Sequence, residues 1–147
     1  MAGVVTQILI DGPRNTVAKT TGDNAIGVPI TNQTILDPAT LTDMLPGMAG
    51  NHLATLLRID HIDYSISDGI TAQLIWDAAA PIIICELYGR GKIDAHWYGG
   101  LQNNAVNPTG KILLTTTAAE VSAPTLYSVL LIIKTVKFRP IVGFGGA

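Results

Sequence analysis

The run Leu126-Tyr-Ser-Val-Leu-Leu-Ile-Ile-Lys-Thr-Val-Lys-Phe138 decides how this chain folds. It is rich in β-branched and aromatic residues, holds no Gly or Pro, and is apolar at both alternating positions as far as Lys134. That pattern predicts a strand buried on both faces, with its end emerging into solvent at Lys134 and Lys137. An apolar helix of the same length competes for the same letters. The clustering of Val, Ile, Thr and aromatics, together with the turn-rich sequence before the run, favours the strand.

Shorter β-type runs lead up to it. Residues 4–10 read as a strand that stops at the turn Asp11-Gly12-Pro13. Residues 15–21 are Thr-rich and amphipathic, and Gly22-Asp23-Asn24 reads as the next turn. Residues 25–36 carry Ile26, Val28, Ile30 and Ile35, but Pro29 has no amide hydrogen to donate, so an edge strand or an extended arm is expected. One helix candidate covers residues 37–45, about two turns long: Asp37 caps it, Pro38 suits its first position, and Pro46-Gly47 ends it.

Further on, Leu57 and Ile59 have one parity and Ile62, Tyr64 and Ile66 the other. A strand that switches its apolar face in this way predicts a β-bulge between Asp60 and His61. Ser67-Asp68-Gly69 reads as a turn, and Ile70, Ala72, Leu74 and Trp76 as the buried side of a half-buried strand. Residues 82–88 form the next strand candidate, closed by Gly89-Arg90-Gly91; residues 93–98 form a shorter one. Residues 99–110 read as an uncharged loop, residues 111–117 as a strand, and Ser122-Ala123-Pro124 as a turn.

About eight short strands with one short loop helix predict an all-β fold, an antiparallel β-sandwich of jelly-roll-like type. No βαβ rhythm is present. The chain reads as one domain over 1–147, with candidate arms at 1–12 and 139–147. The second of these is Gly-rich yet holds Ile141, Val142 and Phe144.

Composition points the same way. Charged residues make up 14% of the chain, against roughly 25% in an average soluble domain. So little charge covers a small domain poorly, and burial of part of the surface against other subunits is expected. A polar surface built from Thr, Asn and Gln is the plainer alternative. The net charge of −2 argues against a general attraction to nucleic acid. The opening Met-Ala-Gly-Val-Val lacks the pattern of an export signal, and no apolar stretch approaches a membrane span. The single cysteine, Cys85, lies in an apolar run and reads as a small buried hydrophobe.

Candidate chemistry is sparse. Arg58-Ile59-Asp60-His61-Ile62-Asp63 is the densest ionisable cluster, with His61 and Asp63 on one face, yet His52 and His96 add no ligand spacing to it. A bulged strand with a solvated polar side accounts for these letters. Leu87-Tyr88-Gly89-Arg90-Gly91-Lys92 lacks the spacing and following helix of a phosphate loop, and reads as a basic hairpin turn whose Arg90 and Lys92 would meet an acidic partner. Ser65 and Ser67 sit in no nucleophile elbow. Residues 95–104 combine His96, Trp97 and Tyr98 with the amides Gln102, Asn103 and Asn104. Rings and amides together suit either a carbohydrate-binding face or an interface hot spot, and the low charge favours the interface. No catalytic residue, metal ligand or cofactor site is expected, so the chain does not read as an enzyme. The interface candidates are Arg90, Lys92, His96, Trp97, Tyr98, Gln102, Asn103, Asn104, Ile141, Val142 and Phe144.

The opening Met1-Ala-Gly-Val-Val-Thr, Ile75-Trp-Asp-Ala with the strand after it, Gly89-Arg-Gly-Lys92, Gly99-Gly-Leu-Gln-Asn-Asn104 and Thr109-Gly-Lys-Ile-Leu113 carry a resemblance. In size and phrasing the chain resembles small structural proteins of tailed-bacteriophage virions, in particular head decoration or cement proteins. The resemblance implies a β-sandwich, often trimeric, that sits where major capsid subunits meet and straps them with a terminal arm. It also implies location in the virion, after assembly in the host cytoplasm. A neck, tail or fibre-associated protein is the nearest alternative, and a carbohydrate-binding β-sandwich using Trp97 and Tyr98 the next.

Overall fold

The computed structural model describes residues 3–12, 14–25, 30–41, 56–67, 70–117 and 126–138. Its strands are β1 (Gly3–Asp11), β2 (Asn15–Ala25), β3 (Gln33–Leu36), β4 (Leu56–Ile66), β5 (Ala72–Ala80), β6 (Ile82–Leu87), β7 (Arg90–Asp94), β8 (Val106–Thr116) and β9 (Leu126–Phe138). They form two sheets, in the orders β1-β2-β9-β4-β7 and β3-β8-β5-β6. All ladders are antiparallel. From β2 onward the orders are β2-β9-β4-β7 and β3-β8-β5-β6, the interleaving of a jelly roll, with β1 added beside β2.

The run quoted first is β9, the central strand of the larger sheet. Val129, Leu131, Ile133, Thr135 and Lys137 face inward and are buried, whereas Leu130, Ile132 and Val136 are half-buried and Lys134 is exposed. The expectation of burial on both faces therefore holds for one. The expected exit to solvent at Lys137 is corrected as well: this lysine is wholly buried. Strand alternation carries position 137 inward, and the β1–β2 turn meets its charge there. Lys137 Nζ is paired with the Asp11 carboxylate and donates to the Gly12 carbonyl at 2.6 Å.

Between the sheets lies an apolar core. Ala18, Leu57, Ile59, Ile62, Leu131 and Ile133 from one side meet Ile35, Leu74, Trp76, Ile112 and Leu114 from the other. Ile70, Ala72, Leu74 and Trp76 are all buried, as their alternation predicts. The bulge in β4 is also where the parity switch places it: against β9 the register runs Ile59↔Thr135 and then His61↔Lys134, leaving Asp60 as the extra residue.

Other expectations are revised. Gly22-Asp23-Asn24 is no turn, because β2 runs through it alongside β9. Gly89-Arg90-Gly91 is not a hairpin turn either. β6 and β7 belong to different sheets, so the chain crosses the sandwich here, and the Ile66 amide donates to the Gly89 carbonyl at 2.7 Å. The strand expected within residues 93–98 is the end of β7 followed by a 3-10 turn at His96–Tyr98. β8 starts at Val106, inside the stretch expected as loop.

The helix candidate is a single 3-10 turn at Pro38–Thr40, with Asp37 accepting from the Ala39 amide at 3.0 Å. The rest of that candidate, residues 42–45, lies outside the described residues, as do the turns centred on 68–69 and 122–124. β3 is an edge strand, as Pro29 led one to expect. The first candidate arm is built into the sheet as edge strand β1, while the second, 139–147, lies outside the described residues.

Candidate functional site

The bulge at Asp60 receives the connection between β7 and β8. The Asp60 carbonyl accepts from the Ala95 amide at 2.8 Å, and Leu101 exchanges two backbone hydrogen bonds with Ile59, at 2.7 and 3.1 Å. The Asp60 carboxylate accepts from Arg58 Nε at 2.9 Å. Gly100 lies beneath this pair with φ +82°, and its amide donates to the Ala95 carbonyl at 2.8 Å. The loop is thereby pinned at both ends, and its tip, His96–Tyr98, projects into solvent. Trp97 and Tyr98 are 79% and 67% exposed, far more than unpartnered aromatic rings usually are in a folded domain.

Beside the tip lies a polar hollow of about 400 Å³ lined by Asp60, His61, Asp94, His96 and Lys134. His61 Nε2 is 3.1 Å from Asp63 Oδ1, the shared face read from their parity. Its Nδ1 is 4.0 Å from Asp94 Oδ1, the same oxygen that pairs with His96 Nδ1. The Asp94 carboxyl is held below its ordinary range, chiefly by the hydrogen bond from His96, with further contributions from the charges of His96 and His61 and a hydrogen bond from Trp97. Asp94 thus stays ionised through the neutral range and holds the His96 imidazole, with His61 4.0 Å away. The arrangement orders the tip and offers a polar recess to a partner. Among the described residues, no group of three or more His, Cys, Asp or Glu is placed to hold a metal ion.

The interface candidates divide by role. Arg90 and Lys92 are exposed along the edge strand β7, opposite Ser65 and Asp63. His96, Trp97 and Tyr98 are exposed together, with the His96 and Trp97 rings 4.7 Å apart. The amides serve the loop itself: Gln102 donates to the Gly99 carbonyl at 3.0 Å, and Asn103 accepts from the Ala105 amide at 3.1 Å. Asn104 is exposed and lines a second hollow of about 360 Å³ with Trp76, Ile82, Ile83 and Leu101. Ile141, Val142 and Phe144 lie outside the described residues.

Sequence reading missed Asp94 and Lys134 as neighbours of His61, because strand order alone brings β7 and β9 to the two sides of β4. It also missed the exposure of Ile82 and Ile83 on β6, whereas the exposed Val5, Ile8, Leu9 and Ile10 of β1 fall in the candidate arm 1–12. Apolar strand residues read as core by default, and only the position of a strand at a sheet edge reverses that.

No protein-family model matches this chain, and no curated protein matches it.

Cys85 is half-buried in β6, and burial pushes its thiol up to about 11 from 9.0. A thiol so raised is almost wholly protonated at pH 8, and after allowing for the greater nucleophilicity of its thiolate, alkylation by iodoacetamide should run about tenfold slower than for an unperturbed thiol. Labelling at the rate of a free thiol would show that β6 opens readily.

Proposed function

We propose that this chain is a structural virion protein that decorates and stabilises a tailed-phage capsid through contacts with major capsid subunits and with further copies of itself. The observation that supports it is the amount of exposed apolar and aromatic surface on a rigid sandwich of low charge. Val5, Ile10, Ile83, Tyr88, Trp97, Tyr98 and Val106 are each more than half exposed. Isolated exposed apolar residues are ordinary, but such a set on a small domain suits a protein that spends its working life in contact with others. A clamp needs wide, weak contacts and stiffness rather than a titrating site. The jelly-roll order lends fold-level analogy, since capsid domains use it, although a fold alone implies no function. The terms of this reading are no catalysis, no cofactor, no direct contact with nucleic acid or membrane, and a place in the virion.

The test is to probe purified particles of the phage that encodes this chain with an antibody against the recombinant protein, then to locate it by cryo-electron microscopy. Density on the capsid shell, in stoichiometric proportion to the capsid protein, is the expected result. Density confined to neck, tail or fibre would move the assignment elsewhere in the virion, and absence from particles would overturn it. A second reading rests on Trp97, which stands 79% exposed beside a polar recess, as in a carbohydrate-binding face. Saturable quenching of Trp97 fluorescence by cell-wall oligosaccharides would favour that reading instead.

A further inference from the structure

We propose that two copies of this chain pair antiparallel through the outer edge of β1, about a twofold axis lying within residues 5–7. An edge strand presents a row of unpaired backbone groups, and natural proteins guard such rows with charge, brevity, proline or bulges. Three of the four sheet edges here are guarded. β7 exposes Arg90, Lys92 and Asp94. β3 has four residues. β6 has six, follows Pro81, exposes Glu86 and carries a register shift against β5.

β1 is the exception. It is nine residues long and has no ionisable side chain before Asp11, which is engaged by Lys137. Val5, Ile8, Leu9 and Ile10 are 66%, 41%, 48% and 58% exposed. A bulge at Leu9 interrupts its last part only, leaving residues 3–8 in regular register with β2. Among the described residues, nothing pairs with its outer edge.

The occupant that suits this edge is the same strand from a second copy. A twofold contact requires one patch to be complementary to itself, and an uncharged strand meets that condition in any register. Pairing with β7 of another copy would instead set Val5 and its neighbours against Arg90 and Lys92, removing charges from water with no counter-charge on β1. Opposed residues of an antiparallel pair share a face, so the axis passes through a residue. Centred on Thr6, it places positions 5 and 7 opposite each other; centred on Val5 or on Gln7, it places that residue opposite its own copy. The two larger sheets then continue as one. A twofold contact gives a dimer, in place of the trimer implied by the resemblance, and it does not rest on the virion reading: an isolated chain dimerises whether or not it binds a particle.

The test uses the full chain in three forms: wild type, Val5→Lys with Gln7→Lys, and Val5→Glu with Gln7→Glu. Positions 5 and 7 are exposed, so circular dichroism and melting temperature should match among the three. In sedimentation velocity over a concentration series, wild type should dimerise, and each charged form should dissociate at least about tenfold more readily, because like charges then stand opposite. An equimolar mixture of the Lys and Glu forms should recover the dimer, since opposite charges then face each other. A monomeric wild type would overturn the proposal, as would charged forms that associate as well as wild type. So would a mixture that stays monomeric, because β1 would then be engaging another surface, including a segment of its own chain.

Discussion

Replacing Asp11 with Ala should lower the unfolding free energy by about 3 kcal/mol, the lower end of the range for a buried ion pair stripped of one partner. Lys137 is wholly buried at the end of the central strand, and Asp11 supplies the charge opposite it. Removing the carboxylate leaves a buried ammonium without its counter-charge, although its hydrogen bond to the Gly12 carbonyl remains. Asp11 keeps 24% of its side chain exposed, so water can reach the site, and the upper end of that range is not expected. Changing both residues, Asp11→Leu with Lys137→Met, should restore most of the loss, because an apolar pair of similar volume removes the desolvation penalty from both sides. Urea denaturation of Asp11→Leu, Lys137→Met and the double variant supplies the cycle, with Asp11→Ala measured beside them. A loss below about 1 kcal/mol for Asp11→Ala, the range of exposed pairs, would mean that Lys137 is solvated.

Gly100→Ala should destabilise the protein by about 2–4 kcal/mol, combining left-handed backbone strain with overpacking. A Cβ at Gly100 would fall 2.6 Å from Arg58 Cγ, 2.7 Å from Arg58 Cδ and 2.7 Å from Asp60 Oδ1. It would wedge the loop away from the bulge that holds it. Gly99 is the internal control. Its φ is +91°, yet a Cβ there meets nothing within 4 Å, so Gly99→Ala should lose only the backbone component, about 1–2 kcal/mol. Trp97 fluorescence reports the tip in both variants. Equal losses from the two substitutions would show that the loop yields freely and that the Arg58–Asp60 pair does not fix it.

The β4 bulge shows how far local pattern reaches. The parity of Leu57 and Ile59 against Ile62, Tyr64 and Ile66 located it to a single residue, because strand alternation ties side-chain direction to chain position with a period of two. The same logic found the buried side of β5, while the bounds of β9 came from its unbroken β-branched and aromatic run. It failed at Gly22-Asp23-Asn24 and at Gly89-Arg90-Gly91. Turn-forming residues permit a turn without requiring one, and pairing with β9 outweighed that local preference in β2. Of the site, the His61–Asp63 pair was legible because both residues lie on one strand. Asp94 and Lys134 were not, because each reaches His61 across a ladder whose register depends on the whole sheet.

From its sequence alone, this chain determined that it would be an antiparallel sandwich of short strands, since apolar alternation without helical periodicity leaves few other ways to bury its Ile, Leu and Val side chains. The tertiary structure alone decided which strands stand at the edges, and edge position is what turns apolar residues such as Ile82 and Ile83 of β6 from core into surface. It decided likewise that Lys137 would lie inside. An identical lysine pattern serves an exposed or a buried strand end, and only the arrival of Asp11 and the Gly12 carbonyl from the opposite end of the chain makes the buried one stable.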